Sequence, residues 1–219
     1  MSLANDLKAQ AERSAAAATP EVTAQRSAAI DAVTTLKHAG TVITVGDTAP
    51  TFDLPDATGT RVHLSELVAA GPVVISFYRG GWCPYCNIEL RALQAALPAL
   101  TAAGATLVAI SPDAPDTSLS TAEKASLEFA VLSDATAAAI TAYGLNYTID
   151  SVTRAVLDEP EAQLARARGV ETQVLPIPGT YVIDTDGKIA YAFVDPNHTH
   201  RAEPADILAA VVALAGTAP

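Results

Sequence analysis

The chain has 219 residues, half of them hydrophobic, and a formal net charge of −11 at pH 7. That length can bury one sizeable core, and the acidic balance, with no basic stripe to offset it, argues against nucleic acid as a partner. The longest apolar runs, such as Ile207 to Ala215, fall short of the roughly 20 residues that a membrane span needs. The N-terminus also lacks a basic segment followed by an apolar core, so we expect a soluble, cytoplasmic protein.

The first forty residues are alanine-rich and predict two short helices, broken at Thr19-Pro20 and ended by Gly40. We therefore expect residues 1–40 to form an N-terminal helical extension. Residues 41–219 are expected to form the main domain, because no long charged or Pro/Gly-rich linker divides them.

Strands and helices alternate along this main domain. Runs of β-branched and aromatic residues predict strands at 41–45, 61–64, 72–78, 105–110, 129–132, 181–184 and 189–194. Helical patterns follow residue 65 and cover 83–100, 119–126, 135–143 and 204–215. Residues 145–174 look like an insertion with a polar helix at 161–168, and Asp186-Gly187 predicts a hairpin. This order suggests an α/β domain of the thioredoxin-like kind.

Both cysteines of the chain stand in Cys83-Pro84-Tyr85-Cys86, directly after the apolar run 73–78 and the bend at Gly80-Gly81. Two thiols at this spacing on the first turn of a helix can form a disulfide with each other. The unsatisfied backbone N–H groups of a helix N-terminus also stabilise a thiolate. The spacing therefore predicts redox chemistry.

Other uses of a C-x-x-C fit the sequence less well. A zinc site needs a second pair of ligands, and only His38, His63, His198 and His200 are left to supply one. A structural disulfide would close a very small loop, where the gain in stability is least, and an intracellular chain would keep it reduced. No glycine-rich phosphate loop is present, so we predict neither a metal nor a bound cofactor.

The segment from Phe77 to Asn87 resembles the peroxiredoxin-like subgroup of the alkyl hydroperoxide reductase and thiol-specific antioxidant (AhpC/TSA) family. Further matches lie at 46–54, 111–113, 132–134 and 180–184, so the resemblance covers about residues 45–194. It implies a thioredoxin-like fold and an antioxidant enzyme that reduces a hydroperoxide and is reset by a thioredoxin-like protein or a small thiol. It also implies association as dimers, for which the N-terminal helices offer an apolar stripe.

The sequence departs from the family pattern P-x-x-x-T-x-x-C when Cys86 is taken as its cysteine. Arg79 then replaces the proline and Cys83 the threonine, and Pro178 stands where peroxiredoxins usually carry an arginine. Pro178 resembles the cis-proline of thioredoxins; the alternative is an ordinary trans proline at a strand start. A cis bond would carry the backbone of Ile177 beside the dithiol, where thioredoxin relatives pair with a substrate chain.

The resemblance leaves two mechanisms open. In a peroxidase, Cys86 attacks the hydroperoxide, Cys83 condenses with the resulting sulfenic acid, and Arg79 with backbone N–H groups stabilises the developing charge. Arg79 could equally be a solvent-facing residue at a strand end. In a thioredoxin-type oxidoreductase, an exposed Cys83 of low pKa attacks a disulfide and a buried Cys86 resolves it. We favour the peroxidase. A redox-inert binding domain would need both thiols to be buried and unreactive.

Other residues near the motif have either two possible roles or a supporting role. Glu89 matches the family's C-x-x-E and could orient an arginine, but it also suits a helix N-terminus. A basic residue of the stretch His198-Thr199-His200-Arg201 could approach the dithiol and lower a thiol pKa, or Glu203 and Pro204 could simply set the start of the last helix. Trp82 and Tyr85 are expected to shield the sulfurs from water.

Overall fold

A computed structural model describes residues 2–38, 42–114, 126–148 and 174–216. The helix predicted at 119–126 lies almost entirely outside these residues. The predicted insertion, with its helix at 161–168, also lies outside them except for its two ends.

The described residues form helices and strands in the alternating order that the sequence predicts. The helices are α1 (Leu3–Ala16), α2 (Pro20–His38), α3 (Leu64–Ala70), α4 (Pro84–Ala102), α5 (Ala138–Ala142) and α6 (Pro204–Ala215). The strands are β1 (Asp53–Pro55), β2 (Arg61–His63), β3 (Val73–Phe77), β4 (Thr106–Ser111), β5 (Ala130–Ser133), β6 (Asn146–Thr148), β7 (Val174–Pro176), β8 (Gly179–Ile183) and β9 (Ile189–Val194).

Five of these strands form the central sheet, in the order β5-β4-β3-β8-β9. The pairs β3–β4 and β4–β5 are parallel, whereas β8 runs antiparallel to both β3 and β9. Two small antiparallel strand pairs, β1–β2 and β6–β7, lie beside it. This is the thioredoxin-like α/β arrangement that the motif order predicts.

Strand β3 lies in the middle of the sheet, and its side chains alternate between two cores because successive residues of a strand point to opposite faces. Val74 and Tyr78 face the core formed with α1, α4 and α6. Ile75 and Phe77 face the second core, to which α3 and α5 contribute. By this alternation Ser76 lies on the α4 side, as a single polar residue in an otherwise apolar strand.

Three local predictions need correction. Residues 42–45 are not a strand, because Ile43 makes only single hydrogen bonds to Tyr143 and Tyr181 instead of a ladder. Helix α5 begins later than predicted, since the Asp134 carboxylate accepts hydrogen bonds from the backbone N–H groups of Ala138 and Ile140. Strands β1, β6 and β7 were not predicted, because three-residue strands carry little alternation to detect.

Among the described helices, none combines the length and the apolar character that crossing a membrane would require.

Candidate active site

The loop between β3 and α4 is held in a sharp bend by Gly80. This residue has φ of +136°, and a β-carbon there would lie 2.5 Å from Trp82 Nε1 and 2.8 Å from Asp113 Oδ1. The backbone N–H of Gly81 donates to the Asp113 carboxylate at 2.8 Å, and the N–H of Cys83 donates to the Gly80 carbonyl at 3.1 Å. The bend therefore requires glycine, and it directs the chain into α4.

The two cysteines lie at the N-terminus of α4, as the sequence predicts. Cys83 is the N-cap residue, Pro84 is the first helical residue, and Cys86 lies in the first turn. Both are free thiols, and both are buried: Cys83 is 1% exposed and Cys86 is 0% exposed. The exposed Cys83 that a thioredoxin-type mechanism predicts is therefore not present.

Arg201 approaches the dithiol from the segment that precedes α6. Its Nη2 lies 3.3 Å from Cys86 Sγ, and its Nε donates to Glu89 Oε2 at 2.5 Å. Its Nη1 donates to the carbonyl oxygens of His198 and His200 at 2.6 and 2.7 Å. All three nitrogens of the guanidinium are therefore engaged. Both interpretations of this stretch hold, because a basic residue of it approaches the dithiol and Glu203 and Pro204 begin α6.

Glu89 orients this arginine from the next turn of α4. Its second carboxylate oxygen, Oε1, accepts a hydrogen bond from the Ser76 hydroxyl of β3 at 3.2 Å. Burial raises the pKa of Glu89 to about 6, while the charge of Arg201 opposes that rise. Sequence reasoning did not select Ser76, although its polarity on the α4 side of a buried strand was a usable signal.

The two sulfurs share one hydrogen bond, and their pKa values move in opposite directions. The hydrogen bond from the Cys86 thiol lowers the pKa of Cys83 to about 6, with further lowering by the charges of Arg79 and Arg201. Burial raises the pKa of Cys86 well above the ordinary thiol value, as does its hydrogen bond to Cys83. At neutral pH the reduced pair therefore carries one negative charge, centred on Cys83.

Four further side chains form two contacting pairs near the dithiol. Arg79 is 3% exposed, with its guanidinium carbon 4.8 Å from the centre of the Trp82 ring. It is therefore not the solvent-facing residue that was its alternative interpretation. Tyr85 packs edge-on against His198, with the ring centres 5.7 Å apart. The pKa of His198 is lowered well below its ordinary value, by burial and by the charges of Arg79 and Arg201, so its ring is neutral.

The prediction for Pro178 is wrong in its main point. Every peptide bond among the described residues is trans, including the one between Ile177 and Pro178. The backbone N–H of Ile177 donates to the Leu145 carbonyl at 2.7 Å, which extends the pairing of β6 with β7 by one residue towards β8. Because this donor is occupied within the chain, Ile177 does not offer it to a substrate strand in the thioredoxin manner.

Within the part of the chain that is described, no three His, Cys, Asp or Glu side chains are grouped so that they could hold a metal ion. The acidic, basic and sulfur groups of the site are instead paired with one another. The arrangement is suited to thiol chemistry.

Comparison with known proteins gives the family. The AhpC/TSA family profile matches residues 45–192, a range that contains both cysteines and Glu89. The chain belongs to the AhpC/TSA family. Its relatives include "Putative peroxiredoxin Rv2521" of Mycobacterium tuberculosis, which is 32% identical over 69% of this chain and 85% of its own. "Peroxiredoxin Bcp" of Escherichia coli is 36% identical over 41% of this chain and 56% of its own.

Solved structures agree with this family and with the fold. "Peroxidoxin BcpB" of Mycobacterium tuberculosis superposes with a TM-score of 0.59 at 26% identity, covering 81% of this chain and 99% of its own. A cysteine-to-serine mutant of peroxiredoxin 6 from Arenicola marina has a TM-score of 0.63 at 17% identity, covering 79% and 74%, and supports the fold alone. As a member of this family, the chain is an oxidoreductase of the thiol-dependent peroxidase class. Arg201 lies beyond the matched range, so the family pattern alone does not identify it.

Proposed function

We propose that this chain reduces hydroperoxides by cycling Cys83 and Cys86 between a dithiol and a disulfide, with an external dithiol as the reductant. The observation that carries the proposal is the Arg201 guanidinium 3.3 Å from Sγ of the buried Cys86, in the first turn of the helix that the buried Cys83 caps. The lowered pKa of Cys83 agrees with it. The family register further supports Cys86 as the sulfur that attacks the peroxide.

The first step uses the hydrogen bond between the sulfurs. The Cys86 proton passes to the Cys83 thiolate, and the Cys86 sulfur attacks the terminal oxygen of the hydroperoxide. The S–O bond forms as the O–O bond breaks, which leaves a sulfenic acid on Cys86 and an alkoxide. The alkoxide takes up the proton that Cys83 received and leaves as the alcohol. Arg201 stabilises the negative charge on Cys86 during the attack, because its guanidinium is already positioned there.

The second step closes the disulfide. Cys83 is again a thiolate, as its pKa of about 6 dictates at neutral pH, and it attacks the Cys86 sulfur. Hydroxide leaves and is protonated to water, so one hydroperoxide has oxidised two thiols. An external dithiol then reduces the disulfide and is itself oxidised. Thioredoxin-like proteins and small thiols both have this chemistry, and a cytoplasmic location would supply them.

Thiol–disulfide exchange through Cys83 is the second candidate, since the lowered pKa of Cys83 favours it as a nucleophile. The burial of both sulfurs argues against it, because a protein disulfide needs far more open surface than a hydroperoxide does. The occupied N–H of Ile177 argues against it as well.

Stopped-flow fluorescence of the single tryptophan, Trp82, tests the proposal, since that ring lies beside Arg79 at the dithiol. Reduced wild type, Cys83→Ser and Cys86→Ser are each mixed with a hydroperoxide. We expect fast oxidation in the wild type, slower oxidation in Cys83→Ser, and none in Cys86→Ser. Fast oxidation that persists only in Cys86→Ser would instead assign the attack to Cys83. Equal slow oxidation of all three proteins would contradict a peroxidase.

A further inference from the structure

The segment that supplies Arg201 is tied to the N-terminal helix. The Glu203 carboxylate accepts hydrogen bonds from the backbone N–H groups of Ala4 at 2.7 Å and Leu3 at 3.3 Å. These donors belong to the first turn of α1, where N–H groups have no partner within the helix. A carboxylate at that position is bound both by hydrogen bonds and by the helix dipole.

Helix α1 is itself anchored in the core that contains the dithiol. Leu3 and Leu7 are 3% and 6% exposed, and they belong to the same buried cluster as Ala202, Cys83 and Cys86. Ala202 stands between Arg201 and Glu203, so the backbone on the C-terminal side of the arginine is buried. The position of α1 therefore determines where this backbone lies.

The N-terminal side of the segment is held by its own hydrogen bonds. The Asp195 side chain accepts from the N–H of Asn197 at 2.8 Å and lies 2.9 Å from the His200 ring nitrogen Nδ1. The Asn197 side chain in turn accepts from the N–H and hydroxyl of Thr199. The segment is thus a short loop that is held by hydrogen bonds at both ends, and the backbone of Arg201 has little freedom to move.

We propose that Glu203, bound to the N-terminus of α1, is a positioning residue that holds Arg201 against Cys86 and Glu89. The family range, residues 45–192, contains neither α1 nor this segment. In this chain the N-terminal helix and the residues after β9 therefore act together to place a cation at the site. The consequence for catalysis rests on the proposed function, but the positioning itself does not.

The test measures the reactivity of the thiols without any peroxide. The rate of alkylation of the reduced dithiol is followed against pH in wild type, Glu203→Ala and Glu203→Gln. Glu12→Ala is the matched control, because Glu12 is an exposed glutamate on α1. In Glu203→Ala, Arg201 loses its fixed position and stabilises the thiolate less. We expect the midpoint of the profile to rise by about half to one pH unit, so that alkylation well below pH 6 slows about 3- to 10-fold. Glu203→Gln keeps an acceptor oxygen and should shift less in the same direction.

The shift must be separated from a general loss of structure. Circular dichroism and thermal unfolding identify variants that keep the fold, and a folded Glu203→Ala with the wild-type profile would overturn the proposal. If that variant does not fold, Glu203→Gln decides, and a wild-type profile there overturns it equally. Leu7→Ala loosens α1 from the other side and should shift the midpoint as Glu203→Gln does. A shifted profile in a protein that does not react with hydroperoxide would retain the positioning role and refute the proposed function.

Discussion

On one face of the central sheet Phe77, Tyr143 and Tyr181 pack their rings with centres 4.8 to 6.1 Å apart. The buried charged group next to this core is the Asp134 carboxylate, which accepts hydrogen bonds from the first turn of α5. On the other face, the residues buried around α4 include Glu89 and Arg201 beside the two cysteines. Both faces are equally buried, since these aromatic residues and cysteines are at most 1% exposed.

The difference shows where the fold buries charged groups that a reactive site needs, at a cost in stability. Burying an ion pair costs more solvation than its attraction returns in many proteins, and an apolar replacement of the same size is often neutral or stabilising. The aromatic rings follow this rule. The face of α4 departs from it at Arg201 and Glu89, where a cation contacts Cys86 and a carboxylate holds that cation.

Replacing Arg201 by Met should change the charged face around α4 the most, in both oxidation rate and stability. It removes the charge 3.3 Å from Cys86, and we expect hydroperoxide oxidation to slow about 100-fold, the usual loss for one preorganised electrostatic group. It also leaves Glu89 buried without its partner, which should lower the free energy of unfolding by about 3 kcal/mol. Stopped-flow and denaturant titration measure the two effects.

Two controls separate rate from stability. Arg91→Met removes an exposed arginine of α4 and should change neither quantity. The double variant Arg201→Met/Glu89→Met should recover the stability but not the rate. Recovery of both would mean that the arginine serves packing alone.

The second largest effect is expected from acid, which should slow oxidation of the dithiol. The pKa of Cys83 is about 6, so the pair becomes fully protonated below that pH and loses its shared charge. We expect the oxidation rate to be level above neutral pH and to fall about tenfold per unit well below pH 6. In Cys83→Ser the midpoint should lie higher, because burial alone then raises the pKa of Cys86 and no thiolate accepts its proton. Coincident profiles would contradict the sharing of one proton.

Gly80→Ala should disturb the entrance to α4 more mildly. The added carbon meets Trp82 and Asp113 at 2.8 Å or less, in a backbone conformation that alanine disfavours, so we expect a loss of about 2 kcal/mol in unfolding free energy together with slower oxidation. Gly187→Ala is the control, because that glycine also has positive φ but open space around it. Its smaller loss should leave the oxidation rate unchanged. Equal losses in both would locate the whole effect in the backbone.

The smallest effect is expected on the aromatic face. The Tyr143 hydroxyl is buried with no hydrogen-bond partner among the described residues, so Tyr143→Phe removes an unsatisfied group. We expect the unfolding free energy to stay the same or rise by up to about 1 kcal/mol, with an unchanged oxidation rate. A large fall in the rate would show that the two faces are not independent.

Much of the α4 face could be predicted from the sequence because its signals are local. The spacing of Cys83 and Cys86 after an apolar strand predicted both the helix N-terminus and the dithiol, and C-x-x-E pointed to Glu89. The contact of Arg201 with Cys86 joins residues 115 positions apart, so no local pattern decides it. Pro178 was misassigned because a proline at a strand start has the same sequence in either isomer, and the tertiary bond of Ile177 decides its surroundings.

The central claim is that one hydroperoxide oxidises both thiols to a disulfide. The most direct measurement adds one equivalent of hydroperoxide to the reduced protein and counts free thiols and alcohol product together. The account predicts that both thiols disappear for each alcohol formed, and that a dithiol restores them. Loss of a single thiol, with a sulfenic acid that persists beside a reactive Cys83, would contradict it.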